Sequence, residues 1–289
     1  MASEIRQILD AETLVDLEKL KQLGRYGVPD EVRADTWKYL LGIETADKAN
    51  EITSRAQNTS RYQSTASQTS NDTLKRIRGE VSRYITKCRS QRLQFASKDP
   101  SGVLENVIST YLTERRNVEY APQMVYLAGP FAFLMASEAD VYYGFMSLMR
   151  MWEDGEEGVT VSARVSEFCV LVRTLLPELH NHFEEEEVDF KECANSWFSS
   201  LLAKELPLEC LLRLWDTYFS IPNGLDMHVY VCLAMLSTLK DNLEELEQSE
   251  IHGVLLRLPN IDMDNVINQA FVIRDEVLAK RLSEIDTYN

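Results

Sequence analysis

The chain has 289 residues and 45% hydrophobic content, enough to bury one large core or two modest lobes, and nothing in its composition marks it as disordered overall. Its formal net charge of -16 excludes nucleic acid and anionic membrane as bulk partners, because both are repelled by the overall field. Five cysteines (Cys88, Cys169, Cys193, Cys210, Cys232) form no Cys-x-x-Cys pair, and His180 and His182 fall on different faces of a helix with no second ligand pair, so neither a disulfide framework nor a metal site is expected.

The opening Met1 to Arg6 has neither a basic flank nor an apolar stretch, and no later segment is apolar long enough to span a bilayer, so a cytoplasmic chain is expected. Leu9, Leu14, Leu17, Leu20 and Leu23 recur at helical spacing, with Asp10 placed to cap that helix and Gly24 to end it. The next helix opens with Pro29, Asp30 and Glu31, draws its apolar contacts from Val32, Trp37, Leu40 and Leu41, and stops at Gly42. From Thr53 to Thr73 the composition turns to Ser, Thr, Gln and Asn, which predicts a mobile loop whose hydroxyls are open to phosphorylation.

Leu74, Ile77, Val81, Tyr84, Ile85 and Cys88 trace one face of a further helix. Around its other sides and just beyond lie Lys75, Arg76, Arg78, Arg83, Lys87, Arg89, Arg92 and Lys98 against the single acid Glu80. Such a basic segment in an acidic protein is either a site for a local anionic target or a solvated helix face. Glu80 and Arg83 stand at i and i+3, where a carboxylate holds a guanidinium in one orientation. Val103, Val107, Ile108, Tyr111 and Leu112 form another helix, and Pro122 opens the next, through Tyr126, Leu127, Phe131 and Leu134, with Pro130 predicting a kink or an early break.

Further helices are predicted from Val141 to Trp152, Ser162 to Leu176, Ala194 to Leu202, Leu208 to Phe219, Val229 to Leu239 and Val266 to Leu278, the last within an amphipathic stretch from Asp262 to Ile285. The helix carrying Leu208, Leu211, Leu212, Leu214, Trp215, Tyr218 and Phe219 is apolar nearly all round and therefore central, with Arg213 and Asp216 as its candidates for buried polar groups. Glu153-Asp154-Gly155-Glu156-Glu157 and Glu184 to Glu187 read as solvated surface, since adjacent carboxylates repel one another. The chain is thus all-α, and without a repeat, a Walker-type loop or a Gly-x-Gly-x-x-Gly it has no means of binding a nucleotide alone.

Three motifs stand in a telling order. Gly27 to Trp37, continuing to Leu40-Leu41-Gly42, is similar to an Arg-x-x-x-Trp signature built here on Arg33 and Trp37. Ile77, Glu80 and Arg83 match Ile-x-x-Asp-x-x-Arg, with glutamate where aspartate is usual, and Arg213-Leu214-Trp215-Asp216 resembles a late Trp-Asp signature. From about Gly24 to Leu246 the chain therefore resembles the TBC domain, an all-helical family of GTPase activators for Rab-type small GTPases.

That resemblance implies a leading helix over 1–23, a two-lobed domain over 24–246 divided near 160, and a helical extension over 247–289. It implies a GTP-bound Rab-type partner, Arg83 as an arginine finger, Ile77, Glu80 and Tyr120 as groups orienting the fingers, and Arg33, Trp37, Trp215 and Asp216 as structural residues. GTP and magnesium then belong to the partner, this chain has no cofactor of its own, and recruitment to endomembranes runs through partners.

The departure from the family pattern bears on mechanism. A Tyr-x-Gln-Gly-Met segment supplies the family's glutamine finger, and here it reads Tyr120-Ala121-Pro122-Gln123-Met124. Pro122 has no side-chain amide and no N–H to offer. Gln123 is the remaining candidate, but a one-residue step along a helix turns its side chain by about 100°, so it serves only if Pro122 reshapes that turn. Two classes of function stay open: an activator in which Arg83 neutralises phosphate charge while the GTPase keeps its own glutamine, and a catalytically inactive pseudo-activator that binds a loaded GTPase or another partner as a scaffold. A third reading leaves Arg83 bonded to a helix C-terminus or to the run of glutamates.

Overall fold

The computed structural model describes residues 1–65, 68–153 and 160–287. Among them the chain forms α1 (Ala2–Leu9), α2 (Leu17–Gly24), α3 (Asp30–Leu40), α4 (Glu51–Ser64), α5 (Asn71–Ser90), α6 (Pro100–Glu114), α7 (Gln123–Leu134) and α8 (Glu138–Glu153). It continues with α9 (Val161–Leu175), α10 (Pro177–Glu185), α11 (Phe190–Ser199), α12 (Leu208–Ser220), α13 (His228–Leu243), α14 (Gln248–Leu256) and α15 (Met263–Thr287). No sheet forms among the described residues, and a single isolated bridge pairs Leu14 with Asp47. The chain divides into two compact units, Met1–Asp154 with Phe219–Pro222, and Gly155–Tyr218 with Asn223–Asn289.

The first unit is organised around Trp37, which is fully buried on α3. Its ring meets Phe131 at 5.7 Å and Phe219 at 4.8 Å edge-on, the geometry that aromatic quadrupoles favour. Asp30 and Glu31 occupy the first turn of α3, where carboxylates suit the positive end of the helix dipole. Gly42 follows the helix with φ +70, a left-handed conformation that glycine adopts without strain, and its N–H reaches the Tyr39 carbonyl at 3.1 Å. Arg33 is buried and pairs with Asp30.

In the second unit Trp197 and Trp215 are fully buried and each indole N–H is satisfied, by the carbonyls of Leu255 at 2.8 Å and Leu201 at 3.4 Å. Asp216 is fully buried, whereas Arg213 is half-buried and pairs outward with Asp264 at 2.6 Å, so only one of the two is a core polar group. His228 is also buried: its Nε2 lies 3.0 Å from the Trp197 carbonyl and must donate to it, which leaves Nδ1 to accept from the Tyr218 hydroxyl at 2.9 Å.

Several elements differ from the sequence reading. The predicted loop from Thr53 to Thr73 is mostly helix, as α4 runs to Ser64, and residues 66 and 67 lie outside the described ones. Composition misleads here because α4 is held at a few points rather than by a broad apolar face. Arg55 bonds Glu44 at 2.8 Å and Glu51 at 2.9 Å, and Tyr62 buries its ring 5.0 Å from Tyr142 while its hydroxyl donates to Glu138 at 2.6 Å.

The single helix expected from Leu9 to Leu23 is two helices, and Asp16 rather than Asp10 is the cap, accepting the Lys19 N–H at 3.0 Å. Pro130 does not break α7, which runs on to Leu134. Residues Met124 to Ala132 are all buried, and this packing against α5, α6 and α8 outweighs the loss of one backbone donor. Helix α10, which starts on Pro177, was not among the helices predicted, and α14, whose Glu247 and Glu250 form a capping box, lies in the stretch from 247 expected to be helical. Glu184, Glu185 and Glu187 are exposed as expected, while the acidic run after Glu153 lies outside the described residues.

Candidate functional site

Helix α5 positions the central residues by its own periodicity. Ser70 caps it by accepting the Thr73 N–H at 3.2 Å, and Ile77, Glu80, Val81 and Tyr84 then recur at helical spacing and are buried. Arg83 falls beside Glu80 at the edge of that face, with 71% of its side chain exposed, against 9% for Glu80. The chain therefore turns a carboxylate inward and a guanidinium outward within one turn.

Glu80 connects the two environments. Its Oε2 accepts from Arg83, and its Oε1 accepts from the Tyr126 hydroxyl on α7 at 2.8 Å. The hydrogen bond to Glu80 and the attraction of its charge raise the pKa of Arg83 above the ordinary arginine value, so the guanidinium stays charged. Tyr84, next in sequence to Arg83, packs perpendicular to Tyr126 with ring centroids 5.5 Å apart. These contacts fasten α5 to α7 directly behind the exposed arginine.

The segment leading into α7 places Tyr120 beside the same group. Tyr120 is buried, the Arg76 guanidinium lies 5.2 Å from its ring centroid, and its hydroxyl has no hydrogen-bond partner among the described residues. Burial first, and then the Glu80 charge, push the Tyr120 hydroxyl above the usual tyrosine value, with Arg76 and Arg83 opposing. A groove of about 660 Å³ opens here, lined by Thr69, Ser70, Thr73, Arg76, Arg116 and Tyr120 among others.

Pro122 is exposed and stands at the N-cap of α7 with φ -55 and ψ -32, so the helical turn already begins there. Its carbonyl accepts the Val125 N–H at 3.2 Å. Gln123 is the first residue of α7 and half-buried, and its amide makes no hydrogen bond among the described residues. It is thus inside the helix, one step round from Pro122.

Ile77, Glu80, Arg83 and Tyr120 are brought together, with Pro122 and Gln123 opening the helix that follows. Arg33, Trp37, Trp215 and Asp216 are core or helix-terminal residues. Sequence reasoning did not find Tyr126, which reads there as one more member of an apolar face, or Arg116, which lies in a connection.

The Rab-GTPase-TBC domain family model matches residues 30–244. The chain belongs to this family. Similar relatives include TBC1 domain family member 22A of Homo sapiens, 28% identical over 278 residues that cover 85% of this chain and 53% of that protein. The GTPase-activating protein gyp1 of Schizosaccharomyces pombe is 22% identical over 305 residues, covering 92% of this chain and 59% of its own length. The chain thus spans little more than half the length of these curated relatives.

Among solved structures, the Ypt/Rab-GAP domain of Gyp1p superposes with a TM-score of 0.79 at 21% identity, over 96% of this chain and 98% of that one. The Chlamydomonas flagellar RabGAP TBC domain gives 0.67 at 23% identity, over 88% and 84%. At these identities the two likenesses establish the all-α TBC fold. No helix among the described residues is long and apolar enough to cross a membrane.

Proposed function

We propose that this TBC domain is a GTPase activator for a Rab-type small GTPase in its GTP-bound form, with Arg83 as the arginine finger. The observation that carries the reading is the outward, charged Arg83, whose guanidinium is oriented through one terminal nitrogen by a buried glutamate. In hydrolysis, water attacks the γ-phosphorus, the bond to the β-phosphate oxygen breaks, and negative charge grows on the leaving GDP. A guanidinium presented in trans neutralises that charge, which is worth roughly a thousand-fold or more in rate.

Magnesium and nucleotide are supplied by the partner. Pro122 leaves this chain without an amide at the glutamine-finger position, so the GTPase's own glutamine orients the water. Arg76 and Arg116 around the groove offer positive charge to the partner surface, while the protein as a whole is acidic. Recruitment to an endomembrane then follows from the location of the GTPase.

A second reading is favoured by Pro122 itself: a pseudo-activator that recognises the loaded GTPase without ending its active state. Single-turnover GTP hydrolysis by purified Rab proteins separates the two. Acceleration supports the activator, and binding without acceleration supports the scaffold.

A further inference from the structure

We propose that Tyr126 is a positioning residue for the arginine finger, acting through Glu80. The inference rests on the activator reading and names a residue on a different helix from Arg83. Glu80 is buried, and a buried carboxylate needs donors for its oxygens. Tyr126 supplies one to Oε1 at 2.8 Å, which leaves Oε2 turned toward Arg83.

This division fixes the arginine's geometry. With Oε1 engaged by the tyrosine, Glu80 meets Arg83 through one oxygen, which holds one terminal nitrogen of the guanidinium while the side chain as a whole stays 71% exposed. Without the hydroxyl, both carboxylate oxygens become available to the arginine. The planar guanidinium then takes the two-point grip it favours with carboxylates and is drawn back along the helix surface, away from solvent.

The length of the acid matters as well. Glutamate is one methylene longer than the aspartate usual at this motif position, and in this chain the longer side chain meets a tyrosine on α7. Tyr126 is itself set in place by the perpendicular Tyr84 ring at 5.5 Å, so the hydroxyl is presented from a packed frame. The substitution of glutamate for aspartate is therefore accommodated by a partner outside the motif.

The test compares wild type with Tyr126→Phe, which keeps the ring and removes only the hydroxyl. It uses single-turnover hydrolysis on a panel of GTP-loaded Rab proteins together with the side-chain Nε–H signal of Arg83 in 15N-labelled full chain, identified by its loss in Arg83→Lys. With a Rab that wild type accelerates, the variant is expected to lower kcat about tenfold with KM unchanged and to shift the Arg83 signal. Unchanged kcat, a KM that carries the whole effect, or an unmoved Arg83 signal overturns the proposal.

If wild type accelerates no Rab, the activator reading falls and the Arg83 signal decides alone. A shift in Tyr126→Phe keeps the hydroxyl's hold on the arginine, and no shift removes it. Should Tyr126→Phe fail to fold, Glu80→Gln reads the same link from its middle. That variant is expected to move the Arg83 signal and lower kcat, and parity with wild type overturns the proposal.

Discussion

Tyr84 lies so close to Gly129 that a Cβ built on the glycine would stand 2.1 Å from the tyrosine hydroxyl and 2.3 Å from the ring carbon that bears it. Tyr84 is the neighbour of Arg83, and Gly129 lies one turn beyond Tyr126 on α7. The close approach of α5 and α7 that places the Tyr126 hydroxyl on Glu80 therefore depends on a residue without a side chain.

Gly129→Ala should force the two helices apart, because a rigid aromatic ring cannot yield as a flexible chain end would. Overpacking of this kind costs about 1–3 kcal/mol, read as a lower urea midpoint, and GTPase acceleration should fall with it. A variant with wild-type stability and activity would show that the spacing of α5 and α7 is not set at this point.

Pro122→Gln is expected to raise activity, since the backbone at this position is already helical and accepts a residue with an amide. The substitution places that amide where the family carries its glutamine finger. A gain of about tenfold in the single-turnover rate is predicted, the worth of one good positioning interaction. No gain would mean that the surrounding geometry has moved further than one residue.

His228 predicts a pH dependence of stability. Burial, with a smaller contribution from Arg164, lowers its pKa to about 4 in the folded chain, while the unfolded value stays near 6.5. Because the folded group binds its proton less readily, the unfolded state takes up protons first as pH falls. The stability held by neutral His228 is complete above about pH 6.5 and is lost as pH drops toward 4, by about 3 kcal/mol. Denaturant titrations of wild type and His228→Gln across that range should differ in slope, and parallel curves would exclude this group as the source.

Much of the fold was legible because apolar periodicity and large aromatics report burial directly. Trp37 reads as an apolar contact of its helix and Trp215 as part of a central one, and both are fully buried, while the spacing of Ile77, Val81 and Tyr84 gives the inner face of α5. The pairing of Glu80 with Arg83 was legible for the same reason, since i and i+3 are neighbours on any helix.

What escaped depends on tertiary contact. Helix α4 is nearly all polar and gains its place from Arg55 and Tyr62, whose partners Glu44 and Glu138 lie elsewhere in the chain. Tyr126 could not be found from its own segment, because only the fold brings its hydroxyl to a residue 46 positions earlier. The role of Gly129 is visible only once Tyr84 is seen against it.

Arg83 is the centre of the proposed activity, and the most direct test of its role is single-turnover GTP hydrolysis by a panel of Rab proteins with wild type and Arg83→Ala side by side. At least one Rab should be accelerated by wild type, with a loss of roughly a thousand-fold in the variant while its helical content and thermal midpoint stay the same. Equal acceleration by the two proteins would contradict the arginine finger. Binding to a GTP-loaded Rab with no acceleration by either would contradict the activator and leave a protein that reads the active state.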